Sequence, residues 1–177
     1  AGFRDVAQGL PLARLGLANL RRLAELEPER TWNLLALAWA EGISGEEVLQ
    51  KVLRQTDSDG SINAKRMHVF ALQQLAWLRL QQGRHSEASN AASQAASTAA
   101  GIEAMADTQG ARGDSTIDVE QATREAAQTS SALALVLANG GQKKQALDVL
   151  LKLAVKQQRL AKTSPDDLPQ QYALIDT

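Results

Sequence analysis

The stretch Leu75-Ala76-Trp77-Leu78-Arg79-Leu80-Gln81-Gln82-Gly83-Arg84-His85-Ser86-Glu87-Ala88 decides the fold class of this chain. Its left half is a run of good helix formers, and Gly83 stops it. A second helical run then begins within two residues and carries a small residue, Ala88, in its first turns. The pattern is a helix, a tight glycine turn and a second helix, with Ala76 and Ala88 small enough to let the two helices approach closely.

The same phrase occurs elsewhere. Leu37-Ala38-Trp39 precedes it and Leu133-Ala134-Leu135 follows it, and in all three copies a glycine stands eight positions after the Leu, at Gly45, Gly83 and Gly141. In the second and third copies an alanine follows five positions after the glycine, at Ala88 and Ala146; the first copy has Gln50 there. The copies are offset by 38 and then 58 residues. This phrase resembles the tetratricopeptide repeat, a helix–turn–helix unit of about 34 residues. Its Leu-Ala pair falls on Leu75-Ala76 and Leu133-Ala134, its turn Gly and second-helix Ala on Gly83/Ala88 and Gly141/Ala146. Small or apolar positions follow at Ala92, Ala95, Leu150 and Leu153. Leu20, Leu23 and Pro28 look like the tail of an earlier repeat. The chain departs from the pattern at Glu41, Arg79 and Leu137, where the family carries an aromatic in the first helix.

The resemblance implies an all-α fold, an α-solenoid of antiparallel helical hairpins (a TPR-like superhelix) forming one domain over residues 1–177. Composition agrees with all-α. Leu and Ala dominate and aromatics are 3%, so residues that favour strands are scarce. Helices are expected near Arg4–Gln8, Leu12–Leu26, Thr31–Glu41, Gly45–Gln55, Ala64–Gln82, His85–Ala106, Ile117–Asn139, Lys143–Ala161 and Pro165–Asp176. The breaks fall at Gly9, Pro28, Gly42-Ile43-Ser44, Asp57–Gly60, Gly83, Thr108–Ser115 and Gly140-Gly141. Thr108–Ser115 is expected to be a mobile loop, followed by a helix capped by Ser115 or Thr116. The helix opened by Ser164-Pro165-Asp166-Asp167 runs to Thr177, and the chain starts at Ala1 without Met, which suggests a fragment of a longer protein.

Charge and composition narrow the function. With 19 basic and 20 acidic side chains the net charge is −1, so no basic field exists for phosphates and nucleic acid is not an expected partner. No apolar stretch is long enough to cross a bilayer, so direct membrane insertion is not expected either. The absence of cysteine excludes disulfides and thiolate chemistry. The compartment stays open between the cytoplasm and a bacterial periplasm.

Three motifs deserve weighing as sites. Gln55–Arg66 partly matches a calcium loop through Asp57, Asp59 and Gly60, but Gln55 stands at its first ligand position and Arg66 where the bidentate Glu belongs. A polar turn capped by Ser61 or Asn63 is the better reading. Arg112-Gly113-Asp114 is an adhesion-type tripeptide that ordinary loop grammar explains equally well. His68 and His85 lack any nucleophile or carboxylate pattern, and His85 reads as a partly buried structural residue. No catalytic residue, metal site or cofactor site is expected, and the protein is read as a non-enzyme.

What remains is the groove that the resemblance implies. Positions lining the concave face in this family fall on Trp32, Leu35 and Trp39, then Phe70, Gln73, Trp77, Leu80 and Gln81, then Gln128, Ser131, Leu135, Ala138 and Asn139. All three tryptophans map there, and Trp concentrates binding energy because it offers large area at small entropy cost. The alternative for these rings is packing between repeats. Phe70 and Gln128 stand where a carboxylate clamp would place basic residues, so an apolar or amidic segment fits better than an acidic tail. The expected function is a scaffold binding a partner protein or peptide. The alternatives are a small-molecule-sensing or purely architectural solenoid segment of a larger regulator or assembly.

Overall fold

The computed structural model describes residues 4–41, 45–110 and 119–163, and of residues 4–13, 39, 109–110 and 159–163 the backbone alone. Seven helices make up nearly all of it: α1 (Arg4–Leu26), α2 (Thr31–Glu41), α3 (Glu46–Asp57), α4 (Ile62–Gln81), α5 (His85–Gly110), α6 (Val119–Asn139) and α7 (Lys143–Thr163). No strand occurs among the described residues. The fold is all-α.

Each helix packs on the next in the chain, and two further contacts join α2 to α4 and α4 to α6. The helix ends follow from local chemistry. At the α4–α5 turn Gly83 has φ +74°. Its N–H donates to the Leu80 carbonyl at 3.0 Å and the Arg84 N–H to the Arg79 carbonyl at 2.8 Å. This is a Schellman cap, which needs a left-handed residue at that one position. At the α6–α7 turn the same two bonds recur at equivalent residues: Gly141 N–H to Ala138 at 3.1 Å and Gln142 N–H to Leu137 at 2.8 Å, with φ +81° at Gly141. Two segments 58 residues apart thus share one backbone solution.

Gly45 serves differently. Its φ is −77°, so it needs no left-handed freedom. A Cβ there would lie 2.3 Å from the Ala38 carbonyl oxygen, so glycine is what lets α3 start against α2. Asp57–Gly60 is a capped turn: Asp59 Oδ1 accepts from the Ser61 N–H at 2.8 Å, and Ser61 Oγ accepts from the Ala64 N–H at 3.2 Å. The local bonds hold the Asp59 carboxyl below its usual range.

The core has two chemically distinct parts that meet at α4. On one side Ala24, Leu34, Leu35, Leu37, Ala38, Leu49 and Val52 pack with Ala71, Leu75 and Leu78. On the other, Val69, Leu72 and Ala76 meet a run of alanines on α5, from Ala88 to Ala106, with Ala122, Ala126 and Val136 of α6. The helical spacing puts these two sets of α4 residues on separate faces, so α4 is buried on two sides. Ala76 and Ala88 do lie in one cluster, and Ala134 and Ala146 are both buried.

Several expectations need correction. Gly9 does not break the first helix, which runs through it from Arg4 to Leu26; a glycine costs a helix about 1 kcal/mol but ends it only where the backbone turns left-handed. Helix α5 continues past Ala106 to Gly110, with the Thr108 hydroxyl bonding back to the Ala104 carbonyl at 2.8 Å. Thr108–Gly110 are therefore helical, and the remainder of the expected loop, 111–115, lies outside the described residues. So do the turn 42–44, the tripeptide Arg112–Asp114, the caps Ser115 and Thr116, and the expected helix Pro165–Asp176. His85 is exposed rather than partly buried, because it opens α5 on the solvent side of the turn.

Two of the positions that depart from the repeat phrase, Arg79 and Glu41, form ion pairs, while Leu137 is buried. Arg79 Nε lies 3.3 Å from Glu46 Oε1, and Arg84 Nη1 lies 2.7 Å from Glu46 Oε2. Arg84 also binds Glu87 through two bonds of 2.8 and 2.6 Å, which hold the Glu87 carboxyl below its usual range. Glu41 pairs with Arg21 at 2.9 Å. Charges thus tie α3, α4 and α5 together.

Candidate functional site

A cavity of about 270 Å³ opens between α2, α4 and α6. Its wall includes Trp32 from α2, Arg66, Met67, Val69, Phe70 and Gln73 from α4, and Glu125, Gln128 and Thr129 from α6, with Ala99 and Ile102 of α5 at its floor. Trp32, Phe70 and Gln128 occupy the same position of the three sequence copies, offset by 38 and 58 residues as the Leu-Ala phrases are. The repeat alignment therefore superposes three residues that the fold places around one opening.

The local geometry is built by helical spacing. Arg66 lies one turn before Phe70, and Glu125 one turn before Gln128 and Thr129, so each pair shares a helix face. Trp32 is 62% exposed, and its ring centroid lies 6.4 Å from that of Phe70 at a tilt of 41°. Arg66 Nε bonds Glu125 Oε2 at 2.8 Å across α4 and α6. Gln73 Nε2 donates to Thr129 Oγ1 at 3.1 Å, and that hydroxyl donates to the Glu125 carbonyl at 2.7 Å. Gln121 Nε2 adds a bond of 2.9 Å to Glu125 Oε1. Arg66 Nη2 is buried and lacks a hydrogen-bond partner.

Of the residues expected in a groove, Trp32, Phe70, Gln73 and Gln128 meet at this cavity. Leu35 does not: at 2% exposure it belongs to the Leu-rich core, because its face of α2 turns toward α3 and α4. Leu80 packs partly buried against the alanine cluster, and Trp77 is half-buried. Gln81, Ser131 and Ala138 are exposed, as is Leu135 at 49%. Asn139 is exposed, and its amide donates to the Leu135 carbonyl at 2.9 Å, closing its own helix. The Trp39 side chain lies outside the described residues.

Arg66, Met67, Glu125 and Thr129 escaped the reading of the sequence. A signal existed for three of them, since Arg66 and Met67 stand four and three residues before Phe70 and Glu125 three before Gln128, while Thr129 directly follows Gln128. Comparison with models of known protein families, with curated proteins and with solved structures gives no match, so the site is read from this chain's own residues.

Proposed function

We propose that this chain is a protein-binding scaffold, an α-solenoid of helical hairpins similar to tetratricopeptide repeats, which takes a segment of another polypeptide across α2, α4 and α6. The observation that carries this reading is the meeting of Trp32, Phe70 and Gln128, one equivalent residue per repeat copy, around a single opening. The α2–α4 and α4–α6 contacts support it, because they bring the first helix of each repeat to one side. An exposed Trp beside a second ring and a polar rim is the composition of a binding hot spot rather than of bare surface. No catalytic step belongs to the proposal. Sensing of a small molecule is the weaker reading, since drug-sized ligands occupy clefts of roughly 300–1,000 Å³, more than this cavity offers.

The test is capture of binding proteins by the chain and by a Trp32→Ala/Gln128→Ala variant whose circular dichroism is unchanged. Both positions are exposed, so folding should survive. A protein held by the parent and lost by the variant, with a segment that binds purified chain in calorimetry, supports the scaffold. Equal capture by both, or none, removes the groove and leaves an architectural role.

A further inference from the structure

The cavity between α2, α4 and α6 is lined by a donor that the fold leaves unpaired. Arg66 forms part of the wall, and its Nη2 is buried with no hydrogen-bond partner. Folded chains seldom bury an unpaired donor, and a charged one is among the costliest to leave so. We infer that Arg66 Nη2 donates to a main-chain carbonyl of the partner polypeptide as its segment crosses the opening, an inference that rests on the groove reading above.

What Arg66 lacks is a bond rather than a counter-charge. Its Nε lies 2.8 Å from Glu125 Oε2, and these two are the only ionisable side chains in the described wall. The oxygens of Glu125 are themselves engaged: Oε1 accepts from Gln121, Oε2 from Arg66, and the main-chain carbonyl from Thr129. A carboxylate brought to Nη2 would lie near that of Glu125, with no further cation in the wall to offset the repulsion. A neutral carbonyl meets the same donor without that penalty, and the bond still gains from the charge on the guanidinium.

The rest of the wall suits a polypeptide backbone. Val69, Phe70 and Ile102 give an apolar bed to the residue that carries the carbonyl. Gln128, exposed at the rim, has both a donor and an acceptor for the adjoining peptide groups. Because Nη2 is screened from solvent, the carbonyl reaches it as a side chain at the mouth moves aside. Trp32, 62% exposed, and Gln128 are placed to do so. Lysine would not serve in place of Arg66, since the planar fork holds Glu125 through one nitrogen and offers another to the partner.

The probes are random peptides displayed on phage and selected on the intact chain. Those lost on the Trp32→Ala/Gln128→Ala variant bind the groove, and these are remade with each main-chain amide in turn replaced by an ester, whose carbonyl is a weaker acceptor. One ester is expected to weaken binding to the parent about fivefold or more. It should change little against Arg66→Lys, which keeps a cation beside Glu125 and, with unchanged circular dichroism, should itself bind the parent peptide about tenfold more weakly. The ester series on the parent stands by itself if Arg66→Lys does not fold. Groove binders that are indifferent to every ester, or equally weakened by it with Arg66→Lys, would overturn the main-chain assignment and leave the groove in place. So would binders whose affinity rests on an Asp, Glu, Asn or Gln side chain. No enrichment, or peptides unaffected by the groove variant, would overturn the groove and this inference together.

Discussion

Gly45, Gly83 and Gly141 stand at the same place in three copies of one phrase, yet the backbone asks different things of them. At Gly83 a Cβ would meet no atom within 4 Å, but φ is +74°, so the cost of a side chain is conformational. At Gly45 the conformation is ordinary and the Ala38 carbonyl leaves no room. Gly83→Ala should therefore cost about 1–2 kcal/mol. Gly45→Ala should cost about 3 kcal/mol, because the obstacle is backbone and cannot rotate away. Urea midpoints of the two variants check the order. His68 gives a second prediction at this scale. Thr56 Oγ1 donates to the Val52 carbonyl at 2.9 Å and so accepts from His68 Nδ1–H, also at 2.9 Å. Burial lowers the His68 pKa below 6.5, against the pull of the Asp57 charge. The unfolded chain then binds the proton more readily than the folded one. The stability due to neutral His68 is intact above pH 6.5 and declines as pH falls below it. In denaturation midpoints across that window, His68→Gln should show a flatter pH dependence than the parent. The repeat offset made the equivalence of Trp32, Phe70 and Gln128 legible beforehand. Arg66 meeting Glu125 was not legible, since nothing local announces an ion pair between residues 59 apart on different helices.

Among the elements, α5 is the one whose composition predicts least and whose packing explains most. A helix of Ala and Ser has little side chain to bury, so its contribution is proximity: Ala88, Ala91, Ala92, Ala95, Ala99 and Ala106 are all buried against α4 and α6. Ala95, fully buried, has no space for a larger side chain. Ala95→Leu should destabilise by about 3 kcal/mol through overpacking. Ser97→Ala, on the exposed side, should raise stability by roughly 0.5 kcal/mol through helix propensity. Thermal melts of the two give opposite signs if this face assignment is right. That the helices exist was legible from the Leu- and Ala-rich composition and the glycine turns, and their ends less so. Thr108 reads as loop because Thr, Gln and Gly cluster there, whereas its hydroxyl bonds back into the helix and the helix goes on. Arg79 reads as a departure from the repeat's aromatic, and only the assembled α3–α4–α5 junction shows that it pairs with Glu46.

Across the molecule, stability should follow the order of contacts. Helix α4 belongs to both halves of the core, and α5 packs against α4 on one side and α6 on the other. Helices α1 and α7 each pack principally on one described neighbour, and α7 leaves Leu147, Leu151 and Val155 at least half exposed. Opening free energies should therefore be largest in the amides of α4 and α5 and fall toward α1 and α7. Hydrogen exchange on the intact chain measures this, and uniform protection from end to end would contradict it. The two cores follow from composition, one rich in Leu and one in Ala, but their meeting on α4 depends on which faces touch, and that needs the assembled chain. The unequal helix lengths have a consequence of their own. Helix α2 has 11 residues and α4 has 20, roughly 17 Å against 30 Å, and α2 begins beside the middle of α4, at Trp32 facing Phe70. The opening lies where the shorter helix gives out. Its depth is thus governed by a single terminus. Four residues added ahead of Thr31 would raise a parapet over the hollow, and a turn removed would lower its sill, with the alanine floor of α5 untouched in either case.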